Sequence, residues 1–529
     1  MPMTAGLLRF SKSDAPAYRC SQGVLSFREL TAAARRLAAL LLREIPPGVP
    51  VGIYGHKELL MPVCIAACAI ANRPYLPIDR QIPPARAERM LQAAGAGLLL
   101  AAGEGFVPSS AAAVGPAALA ETAFDPGKDQ AAPAAARPGD RFYLLFTSGS
   151  SGEPKGVAVT RENAASFLRW ERSLLSTTSG PVLSHAAYSF DLSVAGLWLA
   201  LTSGRCAAAL ESELFGDYPA LFGRIGEAAP SLAVLTPSFA ELLLASPSFA
   251  AERFPALREL LFCGEPLRAG TVRRLWARFP GIRIVNSYGP TECTVAVTGC
   301  EMEEWMAESG ELPVGRSKPG TQIVVRDPHT GGVLPDGTAG ELVVSGDSVA
   351  PGYLDPAQGG FGAIDGVFSY RTGDLGLCRD GLFYCLGRLD RQIKWHGLRI
   401  EPGEIEQTLL RCEGIAQAAV LPVLRGGRVR RLRAFVSPCE GVFLSSAALE
   451  ETLRGILPAA MVPSVEVLPR MPLTSNGKCD YAALKELPRI NRKQKNSCSK
   501  SSPRPAGGQN LPSVPKPTCS IPDCSIPSP

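Results

Sequence analysis

Behind Ser26-Phe27-Arg28-Glu29, the apolar residues Leu30, Ala33, Leu37 and Leu41 recur at the three-to-four-residue spacing of one helix face. The Ser-x-x-Glu spacing is that of a capping box, so the pattern predicts an amphipathic helix with a defined start. Val51-Gly52-Ile53-Tyr54 reads as a short strand, followed by a second helix through Met61 to Ala71 and a turn at Arg73-Pro74. From Ala101 to Asp140 the Ala/Pro/Gly-rich sequence shows no period and reads as weakly structured surface. The contrast then sharpens. Phe142-Tyr143-Leu144-Leu145-Phe146 predicts a buried strand, Thr147 to Gly152 is wholly small or hydroxylated, and Val157-Ala158-Val159 predicts a strand returning from that loop.

Beyond the loop, helix-like and strand-like segments alternate to about Phe262, which predicts parallel sheets covered by helices. After residue 312 short strands (Val324-Val325, Leu342-Val343-Val344, Leu382-Phe383-Tyr384) are separated by turns at Gly331-Gly332, Asp336-Gly337 and Asp380-Gly381, the pattern of a β-rich subdomain. From Ile400 to about Leu484 the signals alternate again over a piece long enough for a small α+β domain. The expected fold is therefore α/β. A large N-terminal domain of helix-covered sheets with a β-rich subdomain spans 1–388, a small α+β C-terminal domain spans 389–487, and a Pro/Ser-rich basic tail spans 488–529.

The tail holds nine Pro and eight Ser and repeats Cys-Ser-Ile-Pro, a composition that cannot bury a core and reads as disordered. It also localises the charge. The chain carries +5, but the seven Lys/Arg and one Asp after residue 487 account for +6, leaving a nearly neutral body. A nucleic-acid-binding surface would need a basic body, so that class is excluded. The run Leu59 to Ala71 is too short to span a bilayer, no secretory signal is visible, and a cytoplasmic protein without an integral membrane segment is expected. Fifteen cysteines without a C-x-x-C pair read as free buried thiols in a reducing compartment, and four unpaired histidines argue against zinc.

The glycine loop is the first candidate for chemistry. Gly149, Gly152 and Gly156 remove Cβ atoms that would hold an anion off the backbone, and four hydroxyls with Lys155 supply donors and a positive charge. The Walker spacing fits it in no register, and a strand rather than a helix follows. Four later clusters share the logic. Asn286-Ser287-Tyr288-Gly289-Pro290-Thr291-Glu292 sets an aromatic ring beside a turn and a carboxylate, suited to stacking on a base and holding Mg²⁺. Tyr370-Arg371-Thr372-Gly373-Asp374 offers a carboxylate to ribose hydroxyls. Gly387-Arg388-Leu389-Asp390 links the β-rich part to the last domain, and Asn476-Gly477-Lys478 presents one lysine beyond a turn. Taken singly, each is also compatible with a surface loop.

In sequence order, the glycine loop, Phe190-Asp191-Leu192-Ser193, the Tyr-Gly-Pro-Thr-Glu run, the Thr-Gly-Asp run, the Gly-Arg-Leu-Asp link and the terminal Asn-Gly-Lys resemble the core motifs of the adenylate-forming superfamily. Ile53-Tyr54-Gly55-His56, Thr236-Pro237-Ser238-Phe239, Leu261-Phe262-Cys263-Gly264-Glu265 and Thr294 to Gly299 are similar to its D-alanine:D-alanyl carrier protein ligase branch. The resemblance implies ATP and Mg²⁺ as cofactors and D-alanine as substrate. The D-alanyl group would pass through an adenylate to the phosphopantetheine of a separate carrier protein, for D-alanylation of lipoteichoic acid.

By the same resemblance, Thr147, Ser148, Gly149, Ser150, Ser151, Gly152 and Lys155 would hold the ATP phosphates, Asn286, Ser287, Tyr288, Gly289, Pro290 and Thr291 the adenine and α-phosphate, and Glu292 the Mg²⁺. Asp374, Gly387 and Arg388 would bind the ribose. Asp191 would pair with the substrate ammonium, Cys263 and Val295 would close around its methyl group, Lys478 would bridge carboxylate and α-phosphate, and Asp390 would be the hinge. Ser151, Cys385-Leu386 and Cys479-Asp480-Tyr481 depart from the family pattern, the second at a possible ribose or base contact. His185 reads as a packed residue rather than a catalyst. A stand-alone adenylation enzyme for another small amino acid in nonribosomal peptide-type assembly is the alternative, because pocket selection is worth only about 1–3 kcal/mol per methylene. An acyl-CoA synthetase would leave Asp191 facing an acyl chain uncompensated.

Overall fold

The computed structural model describes residues 3–149, 153–395, 398–425, 428–474 and 479–487. Residues up to Cys479 form one compact unit. In the remainder, the described residues hold one helix, Tyr481–Glu486, started by the Asp480 carboxylate, which accepts from the backbone N–H groups of Ala482 and Ala483.

The capping box is realised: the Ser26 hydroxyl accepts from the Glu29 N–H, the Glu29 carboxylate accepts from the Ser26 N–H, and the helix runs Phe27–Glu44 with Leu30, Ala33, Leu37 and Leu41 buried. Leu60–Ala71 is apolar on every side and correspondingly buried on every side. Its residues share one core with strands of two different sheets and with the helix Leu192–Ser203, where the buried Trp198 Nε1 donates to Tyr75 Oη at 3.0 Å.

One sheet has six strands in the order 112–114, 98–101, 51–55, 75–79, 141–147, 155–160, parallel except for the last pair. The strand Arg141–Thr147 and the returning Lys155–Thr160 are antiparallel partners, so the glycine loop is a hairpin tip, as its sequence implied. The second sheet has nine strands, a parallel centre with antiparallel edges. The β-rich part is a five-stranded antiparallel sheet. Its turn at Asp380-Gly381 has φ of +53° and +74° between directly paired Arg379 and Leu382, the geometry that a two-residue hairpin requires and that Asp-Gly accepts. The C-terminal part carries a three-stranded sheet (415–425, 428–438, 464–467) and a separate hairpin, Ile393–Trp395 with Leu398–Ile400.

The stretch 101–140 is more ordered than its composition suggested. It contains the strand Ala112–Val114 and the helix Pro116–Phe124, which buries Leu119 and Ala123. An Ala-rich helix lacks the contrast between faces that makes a period visible. All twelve described cysteines are free thiols, most of them buried or half-buried.

Candidate active site

The candidate residues gather where parallel strands end. Thr147 closes Arg141–Thr147, Phe262 precedes Cys263, and Asn286, Ser287 and Tyr288 finish Arg283–Tyr288. Loops leaving the carboxyl ends of such strands form the crevice in open α/β sheets. Here they open onto a cavity of about 1000 Å³ lined among others by Thr147, Ser148, Asp191, Thr291, Lys394 and Arg399.

At the glycine loop, a Cβ on Gly149 would overlap the backbone oxygen of Glu153, so the tip closes only on glycine. The Thr147 hydroxyl is buried without a hydrogen-bond partner among the described residues, a donor left for a ligand. Lys155 places its ammonium 5.6 Å from the centre of the Tyr353 ring. Ser150, Ser151 and Gly152 lie outside the described residues, as does Lys478.

Asp191 starts the helix Leu192–Ser203, and its Oδ2 accepts from Thr291 Oγ1 at 2.7 Å. Burial pushes its carboxyl up to about 6, with the Thr291 hydroxyl working in the opposite direction. A substrate ammonium would restore the ionised form. Nearby, the Cys263 Sγ faces the Val295 carbonyl at 3.7 Å, and burial raises the thiol to about 11, so it is a packing group rather than a nucleophile. Thr294 and Val295 hold φ of +60° and +69°, a strained left-handed conformation for β-branched residues. A Cβ on Gly289 would come within 2.6 Å of Ala296 Cα, so the Gly289-Pro290 turn packs directly on this strained loop.

Asp374 is buried and accepts from Tyr288 Oη at 2.7 Å and Arg388 Nη1 at 3.0 Å, with Lys394 Nζ at 3.8 Å. Burial alone would raise its pKa, but Lys394, Arg388 and Tyr288 outweigh it and keep Asp374 ionised. Asp374 and Arg388 face each other across paired strands, and Gly387 opposes Leu375 one step along. Arg388 also ion-pairs with Asp390. Asn286 Nδ2 donates to the Pro313 carbonyl at 2.8 Å, and Ser287 Oγ to the Phe262 carbonyl at 2.8 Å, so both brace the strand ends in this arrangement.

Glu292 is fully buried, and here the sequence reading missed a partner. Arg399 Nη1 donates to both carboxylate oxygens at 2.7 Å, and Tyr353 Oη donates to Oε1 at 2.5 Å. Burial opposes ionisation, but Arg399 and Tyr353 override it and hold Glu292 below the usual carboxylate range. The charge that would hold a metal is present, but a guanidinium occupies it. Mg²⁺ could reach Glu292 only after Arg399 withdraws. Among the described residues no cluster of three His, Cys, Asp or Glu side chains that could hold a metal ion exists. Arg399 comes from the hairpin Ile393–Trp395/Leu398–Ile400, tied to the glycine loop because Ser148 Oγ donates to the Arg399 carbonyl at 2.5 Å and accepts from the Glu401 N–H at 3.1 Å. A lone arginine between Leu398 and Ile400, on a strand too short to show alternation, was the only signal.

His185 stacks on Phe239 at 4.1 Å with Nε2 3.2 Å from Thr236 Oγ1, and burial lowers it to about 3, so it stays neutral and packs.

The chain is similar to known proteins over most of its length. The AMP-binding enzyme model matches residues 10–354, and the AMP-binding enzyme C-terminal domain matches 404–478. A D-alanine--D-alanyl carrier protein ligase of Bacillus licheniformis is 36% identical over 493 residues, covering 90% of this chain and 97% of the relative. One from Listeria welshimeri is 35% identical, covering 89% and 96%. Among solved structures, a holo NRPS protein containing adenylation and PCP domains, bound to a vinylsulfonamide inhibitor, superposes with a TM-score of 0.79 at 27% identity, covering 94% of this chain and 86% of that one. The Vibrio cholerae adenylation domain in complex with glycyl-adenosine-5'-phosphate shares the fold with a TM-score of 0.76 at 22% identity, covering 92% and 97%. The chain belongs to the AMP-binding enzyme family, in the branch of the D-alanine--D-alanyl carrier protein ligases.

Proposed function

We propose that this protein activates D-alanine with ATP as D-alanyl-adenylate and transfers the D-alanyl group to the phosphopantetheine thiol of a separate carrier protein, in the cytoplasm, for D-alanylation of lipoteichoic acid. The observation that carries the reading is Asp191, a carboxylate on the cavity wall with one hydroxyl partner, close enough to the buried Cys263 to act on its thiol. The substrate carboxylate attacks the α-phosphate of ATP, the bond to the bridging oxygen of pyrophosphate breaks, and pyrophosphate leaves. The thiol then attacks the acyl carbonyl and AMP departs.

In the first step Asp191 orients the amino acid through its ammonium, and Asp374 with Arg388 positions the ribose. The Thr147 to Gly152 loop and Lys155 hold the phosphates, and Asn286 to Thr291 hold the base and α-phosphate. Mg²⁺, held by Glu292, would neutralise phosphate charge. Lys478 is assigned the contact to the carboxylate and α-phosphate. For Glu292 to serve the first step, Arg399 and the hairpin that bears it must withdraw, and Asp390, at the junction of 1–388 with 389–487, is the assigned hinge. Amino-acid-dependent ATP–pyrophosphate exchange tests the reading. D-alanine should give the highest rate, and exchange driven equally by L-alanine would refute it. Among the described residues no helix is long and apolar enough to cross a membrane.

A further inference from the structure

One ionic contact in the cavity wall has no part in the reaction steps. The helix Pro84–Ala94 brings Arg86 to the cavity beside Thr147 and Ser148 of the glycine loop. Its Nη1 donates to Oε1 of Glu404, in the first turn of the helix Pro402–Leu410. Both side chains are buried, with Arg86 6% and Glu404 1% exposed. The Gly149 N–H acts on the same carboxyl, so a guanidinium and a glycine-loop amide converge on it. Arg89, one helical turn after Arg86, acts on it too; its Nε is buried without a hydrogen-bond partner among the described residues, 3.7 Å from Glu153 Oε2. Glu404 fits this place poorly. Its Oε2 has no hydrogen-bond partner among the described residues, and burial raises its pKa against the opposing pull of Arg86, Gly149 and Arg89. A terminal phosphate, with three acceptor oxygens and more charge, would satisfy the same donors better.

We propose that Arg86 is a phosphate-binding residue and that the Glu404 carboxylate is its internal competitor, occupying the anion site that the outer phosphates of ATP take when the helix Pro402–Leu410 withdraws. The inference rests on the proposed use of ATP and deepens it. Arg399 neutralises Glu292 and Glu404 neutralises Arg86, so the segment 399–404 itself supplies a counter-charge to both buried ions of the large part. ATP and this segment therefore compete, and the binding of one disfavours the docking of the other by linkage. A purely structural role accounts poorly for the pair, since apolar residues of similar volume would join the two helices without an orphaned carboxylate oxygen.

The test is calorimetric titration of ATP and of AMP, at one fixed Mg²⁺ concentration, into the full-length wild type, Glu404→Gln and the double variant Arg86→Gln/Glu404→Gln. AMP lacks the outer phosphates, so the ratio of its Kd to that of ATP isolates them from the base and ribose contacts, and an unchanged AMP stoichiometry shows that each variant is folded. Glu404→Gln keeps the shape and removes the competing charge. It should raise the ratio about fivefold or more, the lower end of ordinary coupling between two binding events. Adding Arg86→Gln should then lower the ratio about tenfold or more, the scale of one hydrogen bond to a charged group. A ratio unmoved by Glu404→Gln, as when ATP and AMP gain equally, or unmoved by the added Arg86→Gln, overturns the inference and leaves adenylation standing. If the wild type binds neither nucleotide, the use of ATP is refuted and this inference with it.

Discussion

Asp191, the proposed partner of the substrate ammonium, carries an electrostatic cost. Its carboxyl, lifted to about 6 by burial, is ionised above that pH and neutral below it. Since only the anion pairs with an ammonium, kcat/KM for the amino acid should fall as pH drops through about 6, while KM for ATP stays nearly constant. Asp191→Asn keeps the shape and the Thr291 contact but removes the charge. It should raise the amino-acid KM by about tenfold or more with little change for ATP, and should abolish this pH dependence. An equal loss of ATP affinity would show that the residue is structural. Cys263→Ala enlarges the wall beside the strained Val295 and should relax discrimination against L-alanine; unchanged enantiomer ratios would remove Cys263 from the pocket. At this scale the placement of charged residues was most legible in the sequence where a motif fixes it: Asp374 and Arg388 do meet across paired strands, and Asp191 does lie on the cavity wall. The sequence was silent on Arg399, because a charged residue inside a short strand looks like a solvated face until the fold shows what lies beside it.

The element that changes the reading of the site is the hairpin Ile393–Trp395/Leu398–Ile400. It follows the Gly387 to Asp390 link directly, and it delivers Arg399 to Glu292 and backbone contacts to Ser148. Arg399→Ala would leave Glu292 buried with only tyrosine hydroxyls, those of Tyr353 and Tyr370, beside it, so its pKa would rise. At pH 7 the pair's contribution is fully present, because Glu292 is ionised well above its depressed folded value, and it is lost as pH falls through that value. Removing one partner of a fully buried pair costs about 3–5 kcal/mol. The Arg399 side chain is 18% exposed, so a smaller loss is expected, visible as a fall of about 2 °C or more in the thermal midpoint of the nucleotide-free protein. An unchanged midpoint would mean that water replaces the guanidinium freely. Other elements were readable from local rules alone: the capping box of Phe27–Glu44 and the Asp-Gly hairpin turn each satisfy a short-range requirement. The pairing of Arg399 with Glu292 spans more than a hundred residues and follows from packing, which no local pattern encodes.

On the scale of the whole molecule, the positive charge of the sequence is concentrated after residue 487 and the remainder is nearly neutral. The matched family models end at residue 478, so removing 488–529 should leave exchange and thermal midpoint unaltered, and a lower midpoint would show that the tail packs on the body. Under the proposed scheme the two half-reactions would make unequal demands on the C-terminal part. If Lys478 serves only the first, Lys478→Ala should reduce exchange by roughly 10²-fold or more, the effect of losing one donor to a developing charge, while transfer from supplied D-alanyl-adenylate to the holo-carrier persists. Equal impairment of both halves would end that division of labour. The central claim, that this chain adenylates D-alanine, is tested most directly by ATP–pyrophosphate exchange measured with D- and L-alanine at saturating ATP and Mg²⁺. The account predicts exchange dependent on D-alanine and at least tenfold less efficient with L-alanine; equal efficiency with both enantiomers, or no exchange with either, would contradict it.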